Sequence, residues 1–351
     1  MERREKGSSA MGSVKDLTVL KKPEGSEAGL GRFVYSDRYS VFDWGEMPDL
    51  IAGKGKAICM ASAYFFERLE EQGVKTHYAG IVEDGVAKRT SELKEPGDTM
   101  EVRLVRVIEP VVRGGAYDYS AYEEERVNFL IPLEVMYRNS LPGGSSVFKR
   151  LREGSISPAD LGLDAMPEPG QVLDRPMLDV STKLESSDRY IDWEEAGRIS
   201  GMDAGETEEM QRTVLLLNDM ITRETGRLGL FNEDGKVEFG FDGKRDLVLV
   251  DALGTLDECR FSYKGLPVSK EIARIHYRGT DWHRDTEEAK KKSKVDWKPL
   301  VKSVPDPLPP ELAKAISELY QAYANDLAGR RWFDVPPLAD VLAAIEGLLG
   351  R

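Results

Sequence analysis

The sequence predicts an α+β protein of two lobes with a cleft between them. Short strand patterns separated by turns dominate residues 13–110, and helical patterns dominate the C-terminal third. A chain of 351 residues is also long enough to bury two hydrophobic cores. Hydrophobic residues make up 40% of the chain and charged residues 32%, the balance of a soluble globular protein.

The elements follow in order. The opening MERREKGSSAMG is charged and lacks an apolar core, so residues 1–11 read as a loose tail and not as a signal peptide. A strand-rich lobe is expected over 12–129, with GRFVYS and TMEVRLVRVI as strands. The helix GKAICMASAYFFERLEEQG interrupts it and closes at Gly73. The polar, Tyr-rich RGGAYDYSAYEEERVN reads as an insertion or connector. A larger lobe is expected over 130–351. The strand FLIPLEVMYRNS leads into the glycine-serine loop LPGGSSV, and the Pro-rich DAMPEPGQVLDRP reads as irregular. In ETEEMQRTVLLLNDMITRETGRLG, Met210, Val214, Leu217 and Ile221 recur at helical spacing. The prolines of PDPLPPELAKAISELYQAYANDL suit a first helical turn, and KKKSK at 290–294 reads as a solvated face.

Charge and composition exclude several classes. A net charge of −13 argues against a general nucleic-acid binder, so an anionic substrate needs a local basic site. No apolar stretch approaches the roughly 20 residues of a membrane span. Two cysteines, Cys59 and Cys259, make no disulfide framework, and a reducing cytoplasm is the expected compartment. With three histidines in the chain, a His-rich metal site is excluded. His77 follows a helix and reads as structural, whereas His276 and His283 flank the arginine-rich HYRGTDWHRD, where a substrate contact stays open. Homo-oligomerisation is likewise open.

Two acids stand out in KVEFGFDGKRDLVLVDALGTLDECRF, residues 236–261. Val237, Phe239 and Phe241 alternate with Lys236, Glu238 and Gly240, the period of a half-buried strand. Asp242-Gly243 signals a turn, so the stretch reads as a hairpin. With a loop of 242–245, Phe241 pairs with Asp246 and Glu238 sits opposite Leu249. Glu238 and Asp251 then share a face as diagonal neighbours, roughly 7–8 Å apart at the backbone. Bare carboxylates so placed repel, so a cation between them is expected. Hard oxygens without His or Cys nearby favour magnesium, which arrives with phosphates. Two exposed acids on a solvated sheet face give the same pattern.

Further stretches carry a family resemblance. GSVKDL (12–17) resembles a Gly-Lys-x-Lys-Asp/Arg nucleotide loop, and DRYSVFD (37–43) an Asp-Arg-x-Ser-x-Phe-Asp motif. AGKGKAI (52–58) resembles Pro-Gly-Lys-Gly, IPLEVMYRNSLPGGS (131–145) an adenine hinge leading to a substrate loop, and STKLESSDRYI (181–191) a Ser-Thr-Lys to Asp-x-x-Ile segment. KVEFG, LVLVDALGTLDECRF and SKEIAR complete the series in order. Together they resemble the SAICAR synthetase family of purine biosynthesis, above all its archaeal members.

The resemblance implies a SAICAR synthetase-like two-lobed fold with antiparallel sheets and nucleotide in the interlobe cleft. It implies a ligase that uses ATP and Mg2+ to phosphorylate the carboxylate of CAIR, so that L-aspartate displaces phosphate and forms an amide. Lys15, Lys236, Glu238 and Asp251 take the catalytic positions, with Glu238 and Asp251 as metal ligands. Gly12, Ser13, Lys15, Glu134, Lys236 and Asp251 fall to the nucleotide, with the backbone of 131–134 at the adenine. Ser40, Asp43, Lys54, Arg138, Ser145, Asp188, Arg260, Lys270 and Arg274 fall to the substrates. Ser146 rivals Ser145, and Lys270 and Arg274, four apart, face one side of a helix. Several residues depart from the family pattern. Ser13 stands where many relatives have lysine, Ala252 replaces a common glutamate, Ser187 replaces a histidine, and WGEMPDLIAGKG differs from the usual loop. Competing readings are a related amide ligase with another carboxylate or amine, a small-molecule kinase, and a non-catalytic nucleotide-binding module.

Overall fold

The computed structural model describes residues 9–11, 14–293 and 296–350. The first sheet contains β1 (Ser9–Met11), β2 (Lys15–Lys21), β3 (Gly29–Tyr35), β4 (Tyr78–Glu83), β5 (Val86–Lys88) and β6 (Thr99–Leu104). Their order is β1-β2-β3-β6-β4-β5, all antiparallel. Between β3 and β4 runs α1 (Lys54–Glu71), which buries Ile58, Phe65, Phe66 and Leu69 against this sheet and its neighbours. The carboxylate of Asp37 accepts the Gly53 and Gly55 amides at 3.0 and 2.9 Å, satisfying donors that a helix start leaves open. Past its end Gly73 takes φ 83, the left-handed geometry that suits a helix stop.

The Tyr-rich connector forms a small hairpin, β7 (Val111–Arg113) with β8 (Ala116–Asp118), and the turn α2 (Ala121–Glu124), which buries Tyr122. The second sheet follows, with β9 (Phe129–Leu141), α3 (Ser146–Glu153), β10 (Gln171–Thr182) and β11 (Tyr190–Ile191). Next come α4 (Trp193–Ser200), α5 (Ala204–Gly226), β12 (Phe231–Phe241), β13 (Leu247–Val250), β14 (Cys259–Tyr263) and β15 (Leu266–Pro267). The order is β11-β10-β9-β12-β14-β15, and β13 pairs with β12 off that path. The expected irregularity of DAMPEPGQVLDRP is confined to its first half. Its second half is already β10, and Pro176, which has no amide to donate, falls where the β9–β10 register breaks.

Helix α5 turns Met210, Val214, Leu217 and Ile221 inward, and the helices α6 (Glu271–Arg278), α7 (Asp281–Lys292), α8 (Pro310–Ala328) and α9 (Leu338–Leu348) finish the chain. The basic run is not merely solvated: Lys290 donates to the Phe42 carbonyl at 3.0 Å and lies over the Trp297 ring. Lys294 lies outside the described residues. One hydrophobic cluster links both sheets, from Tyr35 and Met100 through Phe65 to Ile131 and Phe239.

The hairpin exists, but its register differs from the expected one. Phe241 pairs with Leu247 and Glu238 with Val250, not with Asp246 and Leu249. The loop is one residue longer because Asp242 closes on itself. Its carboxylate accepts the Lys244 and Asp246 amides, and Arg245 takes the left-handed φ of 66. A one-residue slip turns the next side chain to the opposite face of a continuing strand. Here β13 stops at Val250, and Asp251 takes φ 69, which re-aims its side chain.

Candidate active site

Both acids line one cavity of about 400 Å³ where the two sheets meet. Leu17, Val19, Phe33, Val105, Leu130 and Val250 make it apolar, while Arg103, Lys183, Glu238 and Asp251 charge it and His77 lies in its wall. A larger groove of about 780 Å³ lies at the end of α8, among Arg330, Asp334 and Pro337, away from these groups.

Around Glu238 and Asp251 the strands assemble a lysine–carboxylate cluster. Glu134 of β9 lies directly across from Glu238 of β12, and Lys236 shares their face two residues away. The Lys236 ammonium donates to Glu134 and Glu238 at 2.9 Å each and lies 3.9 Å from Glu258. Lys183, just past β10, reaches the other Glu238 oxygen at 2.7 Å. Lys15 of β2 pairs with Asp251 and stands over the Phe33 ring. Three lysines thus face four carboxylates, a formal charge of −1. Burial alone would push the Asp251 carboxyl up, yet Lys15 and Lys236 hold it well below the usual range. Burial pushes Glu134 up, and burial with the Asp251 charge pushes Glu258 up. Against burial, the surrounding carboxylates hold the Lys15 and Lys236 ammonium groups above their ordinary value. The cluster therefore keeps its lysines charged and concentrates negative charge on Asp251.

A second cluster lies at the far end of β9. Arg138 is 2% exposed and donates to Asp179 at 3.0 Å and Asp234 at 3.3 Å. Arg150 of α3 pairs with Asp179 and stacks on the Tyr190 ring, and Arg260 grips Asp234 with two nitrogens. Three guanidinium groups against two carboxylates leave a formal charge of +1. Ser145 caps α3, accepting the Val147 amide at 3.3 Å, and both Ser145 and Ser146 hydroxyls accept from Arg138. A positive cluster with hydroxyls, beside the glycine-bearing 142–145 turn and a helix start, suits an anion.

Other expected site residues are placed as follows. Lys54 is fully buried, donating to Asp257 at 2.7 Å and to the Arg38 carbonyl at 3.1 Å, so it holds structure together and does not face a cavity. Tyr320 of α8 completes that pair by donating to Asp257 at 2.6 Å. Lys270 starts α6, and its charge, after that of Lys54, holds Asp257 down against burial. Arg274, on the same helix, donates to Glu271 at 3.2 Å. Ser40 is half-buried in the loop after β3. Asp43 is 92% exposed with Lys290 at 3.7 Å, and Asp188 is exposed in the turn before β11. Gly12 and Ser13 lie outside the described residues. The 131–134 backbone runs inside the sheet, its Pro132 carbonyl accepting from the Lys183 amide, and Leu130 is the neighbour that lines the cavity.

Sequence reasoning missed Lys183, Glu258, Asp257, Arg150, Asp179 and Asp234. Asp179 was findable by the signal that exposed Glu238, an acid interrupting an apolar strand pattern, whereas Asp234 sits in the polar run 232–236 and carries no such signal. Three residues within four positions, 257, 258 and 260, serve the Lys54 pair, the lysine cluster and the arginine cluster in turn, which no local pattern announces.

Comparison with known proteins agrees with this architecture. The family model described as SAICAR synthetase matches residues 12–289. A putative phosphoribosylaminoimidazole-succinocarboxamide synthase of Archaeoglobus fulgidus is 48% identical over 97% of this chain and 100% of its own length. The synthase of Thermoplasma acidophilum is 33% identical over 86% of this chain and 93% of its own. Among solved structures, SAICAR synthase from Saccharomyces cerevisiae complexed with SAICAR shares the fold at a TM-score of 0.63 and 21% identity, covering 95% of this chain and 98% of its own. A SAICAR synthetase in complex with ADP shares it at 0.55 and 22%, covering 85% of this chain and 100% of its own. The chain therefore belongs to the SAICAR synthetase family.

Proposed function

We propose that this protein uses ATP to join L-aspartate to the carboxylate of CAIR, forming SAICAR, ADP and phosphate. The observation that carries the reading is the cavity between the sheets, apolar along most of its wall and ending in Lys183 and the carboxylates of Glu238 and Asp251. Such a slot takes a planar base at one end and phosphates at the other. Family membership supplies the reaction class.

Phosphoryl transfer asks little covalent chemistry of a protein and much positioning. Lys15, Lys183 and Lys236 are ammonium donors that can leave their carboxylates for phosphate oxygens. Glu238 and Asp251 offer hard oxygen ligands with no thiolate or imidazole beside them, and the cluster's net negative charge has room for a cation, so the donor set fits Mg2+. Bound there, magnesium neutralises phosphate charge. Arg138, Arg150 and Arg260, with Ser145 and Ser146, form the ribotide side. Lys270, whose charge acts on Asp257, and Arg274, which pairs with Glu271, are assigned to the same ligand by the family resemblance. Transfer of the terminal phosphoryl group to the CAIR carboxylate gives an acyl phosphate and ADP. The aspartate amine then attacks the acyl carbon, phosphate leaves with the C–O bond, and the amine proton passes to solvent.

The described residues contain no helix long and apolar enough to cross a membrane, and we place the reaction in the cytoplasm. Incubating the protein with ATP, CAIR and separate amino acids, with products read by mass, tests the proposal. The expected product forms with aspartate alone. Phosphorylated acceptor without amide would make the protein a kinase, and amide from another amine would make it a different ligase.

A further inference from the structure

Asp251 is held from two sides by the first sheet and its connections. Lys15 takes its carboxylate, and the Nε2 of His77 lies 3.0 Å from its backbone carbonyl. A carbonyl only accepts, so Nε2 carries the proton of that bond. The imidazole is 3% exposed and sits between the Phe33 and Phe66 rings, at centroid distances of 5.7 and 5.3 Å, which fixes the direction of its N–H.

The segment that carries His77 follows the hairpin along its length. Lys75 pairs with Asp242 and Asp246 at the turn. Its carbonyl accepts the Leu249 amide at 2.9 Å, and the His77 amide donates to the Leu249 carbonyl at 2.9 Å. The His77 side chain makes the last contact, at the residue where β13 ends and the chain turns left-handed. Aspartate enters that region more readily than most residues, and contacts around it still help to hold it there. One such contact comes from the buried imidazole of His77.

We propose that His77 is a positioning residue for Asp251: its Nε2–H bond fixes the left-handed turn that aims the Asp251 carboxylate into the nucleotide cavity. The inference rests on the reading of Asp251 as a nucleotide–magnesium ligand. It makes the geometry of that ligand depend on the first sheet.

Calorimetry of ADP binding, in magnesium and in EDTA, tests it on the full chain. His77→Leu fills the space without a donor, and His77→Gln keeps an N–H at similar reach. In His77→Leu, ADP binding in magnesium weakens tenfold or more while binding in EDTA stays within twofold. His77→Gln restores most of the loss. A purely structural role would weaken both conditions alike or neither, and either result overturns the proposal. Should His77→Leu not fold, His77→Asn, whose amide falls short of the carbonyl, replaces it with the same expected loss. Asp251→Asn is measured alongside. If it loses the magnesium increment and His77→Leu keeps it, the positioning role alone is wrong. If Asp251→Asn keeps the increment, the assignment of Asp251 is wrong, and this inference falls with it.

Discussion

The lysine–carboxylate cluster at the cavity and the arginine–aspartate cluster beyond β9 use opposite charges in opposite ways. Around Glu238 the cations are ammonium groups, each a point charge with rotatable donors, and Lys236 is shared among three acids. The excess is negative, so the cluster can exchange lysine contacts for phosphates that bring a cation of their own. Around Arg138 the cations are planar guanidinium groups locked to Asp179 and Asp234, and the excess is positive. Pairing fixes the arginines before any ligand arrives, which suits a permanent anion seat. The contrast also shows how a chain of net charge −13 can hold anionic substrates: it concentrates cations locally.

The sharpest way to break the contrast is to remove the centre of the rigid half. Arg138→Ala removes the guanidinium shared by Asp179 and Asp234, each of which keeps one arginine partner, and a loss of about 1.5–3 kcal/mol in unfolding free energy is expected. Urea unfolding checks it, and a loss under about 1 kcal/mol would mean that the cluster is not held together as described. In the lysine–carboxylate half the cost appears in turnover. Glu238→Ala and Asp251→Ala stay folded but lose roughly a hundredfold or more in kcat, and near-normal turnover at saturating magnesium would remove both from the mechanism. A smaller effect is expected on α6. Arg274→Lys weakens CAIR binding by about ten- to a hundredfold, the value of one charge-assisted contact of about 1.5–3 kcal/mol, with ATP binding near normal. Lys149→Ala marks the lower limit. Lys149 points outward from the helix whose Arg150 points inward, 3.9 Å from Glu153 and well exposed. Its removal is expected to change stability by less than about 0.5 kcal/mol and neither affinity.

How much was legible depended on how local each signal is. Helices α1, α5 and α8 declare themselves through apolar spacing and through proline or glycine at their ends. Glu238 declares itself as a charge in an apolar strand, and β12 and β9 then bring Lys236 and Glu134 to it by simple alternation. The hairpin register did not follow, because the Asp242 side chain adds a residue to the turn and Asp251 abandons the strand geometry. Lys54, which the resemblance assigns to the substrates, is a buried partner of Asp257, a contact between residues 203 apart. Asp179 and Asp234 gather their arginines from three separate elements, and no window of sequence holds them together.

The division of labour is tested most directly by crossing two variants with two ligands in one calorimeter. Arg260→Lys keeps the charge but loses the two-nitrogen grip on Asp234, and Glu238→Gln keeps the shape but loses the negative charge. With CAIR and a non-hydrolysable ATP analogue in magnesium, Arg260→Lys is expected to lose tenfold or more for CAIR only. Glu238→Gln is expected to lose at least as much for the analogue only. Parallel losses for both ligands in either variant would contradict the separation of the two clusters.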